Sequence, residues 1–214
     1  MISSLISREE FVKNTLLLLI ALMVLACAGG EASAQTTAPA GGVPVFDITP
    51  VESKIKFDVE ASVAIQGAFS KWNATLIFGS PDVTTAVLDI KIQADSVDTG
   101  SGVKNGKLKG GDFFDVKNNP YITFHSTKVE QTGPNTFDIP GTFTIRGVSK
   151  PETLKLTLSG KGTGSGTIEG TMAFDRKQYG MNSGIPFIKV ADRVEVTINL
   201  KGKRVSGPPV VFKQ

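Results

Sequence analysis

One histidine, His125, and one cysteine, Cys27, stand out in this chain as groups that could do chemistry, and neither has the company that catalysis needs. A Ser-His-Asp relay would have to run through His125, and no G-x-S-x-G turn accompanies it. A lone histidine without neighbouring cysteines builds no ordinary zinc site. His125 also falls opposite in phase to Ile122 and Phe124, which makes it a solvent-facing strand residue. The run Gly160–Gly166, GKGTGSG, offers a phosphate loop at first sight. It matches neither G-x-x-x-x-G-K-[ST] nor G-x-G-x-x-G, and it joins two strands instead of opening a helix, so a flexible hairpin is expected. Asn73-Ala74-Thr75 matches a glycosylation sequon in mid-strand. The carboxylates are scattered over wet faces and give no acid/base pair. A protein without catalysis, metal or cofactor is expected.

What must position the remaining residues is a set of strands. Ile55, Phe57 and Val59 alternate with charged Lys54, Lys56, Asp58 and Glu60, the period of two that gives a strand one dry and one wet face. Gly67 follows as an expected bend or bulge. The same rhythm returns in Trp72-Ala74-Leu76-Phe78, Leu88-Ile90-Ile92, Ile122-Phe124, and Phe137-Ile139 with Phe143-Ile145. It continues through Leu154-Leu156-Leu158, Ile168-Met172-Phe174 and Val194-Val196-Ile198-Leu200. Turn residues separate the runs at 79–82, 132–135 and 160–166, so antiparallel hairpins are expected. About eight such strands, with little else to cover their dry faces, must close into a barrel. Residues 98–119 break the rhythm; Val103, Leu108, Phe113 and Phe114 are its apolar points. Short helical turns across one end of the barrel are expected there, with the Phe pair pointing inward, because leaving it exposed is costly.

The segment before the strands reads as a leader. Arg8 and Lys13 precede the uncharged run Leu16–Ala28, and small residues follow to Ala32-Ser33-Ala34. That order is the pattern of a secretory signal peptide, and the run is short for a membrane-spanning helix. Val24-Leu25-Ala26-Cys27 also resembles the lipobox of bacterial lipoproteins, whose cysteine is lipidated. Two expectations stay open: a signal peptide over residues 1–34, or one over 1–26 with lipidated Cys27. A flexible linker over 35–44, a barrel over 45–204 and a tail over 205–214 complete the organisation. The chain is expected to be exported to the periplasm, soluble or anchored as a lipoprotein. Net charge is +3 without a basic block, which gives nucleic-acid binding no support.

The 13 Phe against 2 Tyr and 1 Trp lie mostly on dry faces. A Phe-rich interior is most often a packed core, and strand phase alone does not separate that from a hollow, ligand-holding interior. Taken in order, four stretches resemble the YceI-like family of bacterial periplasmic polyisoprenoid-binding proteins. They are Phe46-Asp47-Ile48 with Ser53–Phe57; Val97–Gly100 with Lys107-Leu108 and Gly111–Asp115, leading into Asn119–Ser126; Gly141–Pro151; and Phe174–Met181 with Val190–Val194. Glu52 stands where the family usually has histidine. The resemblance implies a lipocalin-like antiparallel barrel that holds an isoprenoid or similar long-chain lipid, such as a quinone, without catalysis. A side-chain-filled barrel serving a structural or stress role is the alternative. Strand phase nominates Phe57, Val59, Phe69, Leu76, Phe78, Leu88, Ile90, Phe113, Phe114, Phe124, Phe143, Leu156, Met172 and Phe174 as inward, ligand-facing residues. Lys107, Lys109 and Arg176 are the basic options for a polar head group, Arg176 first. Membrane contact is expected only through an anchor, and a homodimer is compatible with these features.

Overall fold

The alternating runs become a ring of antiparallel strands in the computed structural model, which describes residues 42–62, 65–184 and 189–214. The expected leader, Cys27 and the linker as far as residue 41 lie outside them. The strands are β1 Val45–Ile48, β2 Lys54–Ala61, β3 Ile65–Phe69, β4 Trp72–Phe78, β5 Ala86–Gln93 and β6 Val97–Asp98. They continue with β7 Tyr121–Ser126, β8 Glu130–Gln131, β9 Thr136–Ile145, β10 Val148–Ser159, β11 Ser165–Asp175 and β12 Val190–Ser206. Pairing runs β1-β4-β5-β7-β9-β10-β11-β12, and β12 pairs back onto β1, which closes an eight-strand barrel.

Three staves of that barrel are broken once each. Strands β1 and β2 lie end to end along β12, β3 precedes β4, and β6 follows β5, so that β2, β3 and β6 extend the same wall. A break interrupts the ladder, and two buried serines, Ser53 and Ser96, replace lost bonds at the three breaks. Ser53 Oγ donates to Thr49 O at 2.7 Å and accepts from Lys201 N at 2.9 Å. Ser96 Oγ donates to Gln93 O at 2.7 Å and accepts from Lys71 N at 3.1 Å, which joins two breaks. Gly67 is not one of the breaks. It pairs in regular register opposite Phe57, whose ring occupies the space a Cβ there would need. The bend falls at Ser70-Lys71, after β3.

One end of the barrel carries the β4–β5, β8–β9 and β10–β11 turns; it is called the hairpin end here. The other, the helix end, carries α1, Gly102–Lys109. Ser101 caps α1, Gly110 stops it, and Leu108 turns inward. Phe113 and Phe114 follow it into the core, while Val103 is 86% exposed and plays no part there. The helix end is further tied by Arg146, which sits with Gly147 in the tight β9–β10 turn and donates to the carbonyls of Gly180 and Gly111.

Candidate functional site

Inward faces from every stave meet in a dry interior. Arg176 is the one charged side chain buried among the described residues. The interior is neither solid nor one continuous tube. A cavity of about 130 Å³ lies at the hairpin end, and one of about 70 Å³ lies at the helix end. An apolar cavity near 150 Å³ takes one benzene, so the larger has room for a single five- or six-carbon piece.

The hairpin-end cavity exists where bulk is missing. Gly166 and Gly202 pair across β11 and β12 on the inward phase, leaving two adjacent wall positions without side chains. Leu76, Phe78, Leu88 and Leu156 of the expected inward set line it. Its lid comes from beyond the last strand. Phe212 packs on Phe137 with centroids 6.2 Å apart. Val211 N donates to Pro81 O at 2.8 Å, and Val83 N donates to Val211 O at 3.0 Å. Gln131 completes the strap: its Oε1 accepts from Lys213 N and its Nε2 donates to Lys213 O. Lys161 and Arg204 stand at the rim.

At the helix end, Phe57, Val59, Phe69, Phe113, Phe114, Phe143, Phe174 and Arg176 line the smaller cavity. Phe57, Phe69 and Phe114 form one aromatic cluster, with centroids 5.7–6.3 Å apart. Arg176 is spent on structure. It donates through Nε to Ala191 O, through Nη1 to Met181 O and Ser183 O, and through Nη2 to Asp192. Four of its five N–H groups are thus taken, so the expected head-group role for Arg176 finds one free donor. Lys107 is paired with Asp112 at 2.5 Å outside the barrel, and neither it nor Lys109 lines either cavity.

Ile90, Phe124 and Met172, the rest of the expected inward set, line neither cavity. Strand order puts them between the two: Ile90 lies between Leu88 and Ile92, and Met172 between Ile168 and Phe174. Ala74, Gly141 and Ile198 hold the same level on their strands. This waist is what divides the interior. Phe124 leans over Gly141, where an added Cβ would stand 2.6 Å from its ring. The strand candidates thus lie on the inner wall as their phase predicts, and Phe113 and Phe114 join them from the segment after α1. The lid residues Val210 and Phe212 lie in the tail and Lys161 in a loop, where strand phase does not reach, while Arg204 continues the inward phase of β12 past Leu200 and Gly202. The apolar run Pro208–Phe212 was the one sequence signal for the lid.

A model of the YceI-like domain matches residues 46–202. A UPF0312 protein of Pectobacterium atrosepticum is 31% identical over 150 residues, covering 70% of this chain and 74% of that protein. A UPF0312 protein of Pseudomonas aeruginosa is 29% identical over 145 residues, covering 65% and 74%. Among solved structures, Burkholderia cenocepacia BcnA superposes with a TM-score of 0.66 at 26% identity, over 72% of this chain and 99% of that one. A Saccharophagus degradans domain described as polyisoprenoid-binding and implicated in plant cell wall breakdown gives a TM-score of 0.61 at 14% identity, over 75% and 99%, a likeness of fold.

Proposed function

The chain belongs to the YceI-like family, and from that premise we propose that its barrel binds one long apolar chain, of the polyisoprenoid or isoprenoid-quinone type, for storage or transport in the cell envelope. The observation that carries this reading is the alignment of two dry cavities through an apolar waist. A packed core has no need of paired glycines at the wall or of a lid over the space they leave. The Saccharophagus domain adds that a barrel of this fold can hold a polyisoprenoid.

Size sets the mechanism. The two cavities take one prenyl unit or less each, so a longer chain requires the waist to yield. Met172 is unbranched and adaptable, and Phe124 faces a wall position without a side chain, so both can swing aside without breaking a polar contact. Filling the hairpin-end cavity with one five-carbon unit contributes about 3–4 kcal/mol at ~0.8 kcal/mol per CH₂-sized group. Further units threaded through the waist add to that, less the cost of moving it. The protein acts by holding, and no step of bond chemistry is assigned to it.

Native mass spectrometry of the protein purified from its own host tests this. A co-purifying lipid, or uptake of added polyprenol or ubiquinone in one-to-one ratio, is expected. Absence of both would leave the filled, structural barrel as the better account.

A further inference from the structure

The rim of the hairpin-end cavity differs from the rest of the wall. Apolar residues surround the space on the barrel side, while Lys161 and Arg204 stand at its edge, both half-buried. Lys161 Nζ donates to Pro134 O and lies 4.3 Å from the centroid of Phe212. Arg204 Nη1 donates to Gly207 O at 2.6 Å. Among the described residues neither faces a carboxylate, whereas Arg176, the basic residue lining the other cavity, is paired with Asp192. Room is present beside them. A Cβ at Gly162 would meet nothing within 4 Å, and one at Gly164 would meet only Arg204 Nη2, at 3.9 Å. Two cations brought out of bulk water at the mouth of an apolar cavity, without counter-charge and with open space between loop and strand, form half of a charge-assisted contact.

We propose that Lys161 and Arg204 hold an anionic head group, phosphate or carboxylate, on the amphiphile whose chain fills the hairpin-end cavity. This rests on the chain-binding reading above and assigns it a direction: head at the hairpin end, beneath the strap, and tail through the waist toward Phe57, Phe114 and Phe174. Neutral prenols enter the same cavity but leave the two cations unmatched.

Two chain-matched pairs test it with the purified mature protein: farnesol against farnesyl phosphate, and hexadecanol against palmitate. In at least one pair the anionic member is expected to bind about tenfold tighter, the worth of one charge-assisted contact, with the advantage shrinking as salt is raised. An advantage in one pair alone supports the site and names its head group. The Lys161→Met, Arg204→Met double variant keeps an unbranched apolar side chain at both positions and removes both charges, so the anionic member of each pair should lose its advantage over its neutral partner. The charge-keeping Lys161→Arg, Arg204→Lys variant should retain it. Equal binding of charged and neutral members, or an advantage that survives the Met variant, overturns this inference while leaving chain binding intact. Failure of all four ligands to bind overturns both.

Discussion

Tyr179 has no exposed surface, and its ring stands edge-on to Phe143 and Phe174 at 5.5 and 5.2 Å. Its hydroxyl donates to Glu152 Oε1 at 2.9 Å, which closes the helix end from inside. Burial, and after it the Glu152 carboxylate as hydrogen-bond partner and charge, push the phenol well above its ordinary value near 10. The sign follows from linkage. The folded state favours the protonated phenol, so its stabilisation is complete below the unfolded value and is lost as pH rises above about 10. Tyr179→Phe removes both the hydrogen bond and the titrating group. Stability at neutral pH should fall by ~1 kcal/mol, and the fall in urea midpoint between about pH 9 and 11 should be shallower than in the parent. Parallel midpoint curves for the two proteins across that range would show that Tyr179 does not carry the alkaline transition.

Among the elements, β7 and β9 show how the lumen is shaped. Phe124 lies over Gly141, and an added Cβ would come within 2.6 Å of both that ring and His125 O. Gly141→Ala should therefore destabilise by ~1–3 kcal/mol through overpacking. If the clash is with the ring, adding Phe124→Leu should recover part of the loss, a coupling readable in a double-mutant cycle by thermal melts. Additive losses would place the strain on the backbone at His125 instead. These two residues also mark what the sequence could tell. Alternation is local, so it marks Phe124 and the other strand candidates as inward, whereas Phe113 and Phe114, adjacent in the segment that breaks the rhythm, are legible only from the cost of exposing them. Gly141 has no side chain to register in a pattern, and Gly67 was read as a bend because glycine's use depends on what lies across the sheet. The breaks at Ser53 and Ser96 were hidden for the same reason, since their partners Lys201 and Lys71 lie 148 and 25 residues away. Closure through β12 onto β1, a matter of long-range pairing, was reached only through the argument that so many dry faces need covering.

At the scale of the whole barrel, the two ends are built differently, and that difference predicts how a ligand enters. The helix end is sealed by Tyr179, by Arg176 and by the arms of Arg146, all committed to polar partners within the fold. The hairpin end is covered by a strap that is held by a few hydrogen bonds and two apolar side chains, Val210 and Phe212. The strap lies beyond the residues matched by the family model, which end at Gly202. A segment held by few hydrogen bonds and with little buried surface belongs to the low-stability part of a structure and opens first. Ending the chain after Gly207 removes it without touching a barrel strand. The truncated protein should stay folded, with a melting temperature lower by several degrees for the loss of ~2–3 kcal/mol of apolar cover from Phe212 and Val210. Its exchange of a bound fluorescent polyprenol analogue should become faster in both directions, so that off-rate rises and affinity falls. Unchanged exchange rates in a folded truncation would mean that the chain enters elsewhere, and the helix end, despite its polar ties, would then have to be the part that opens.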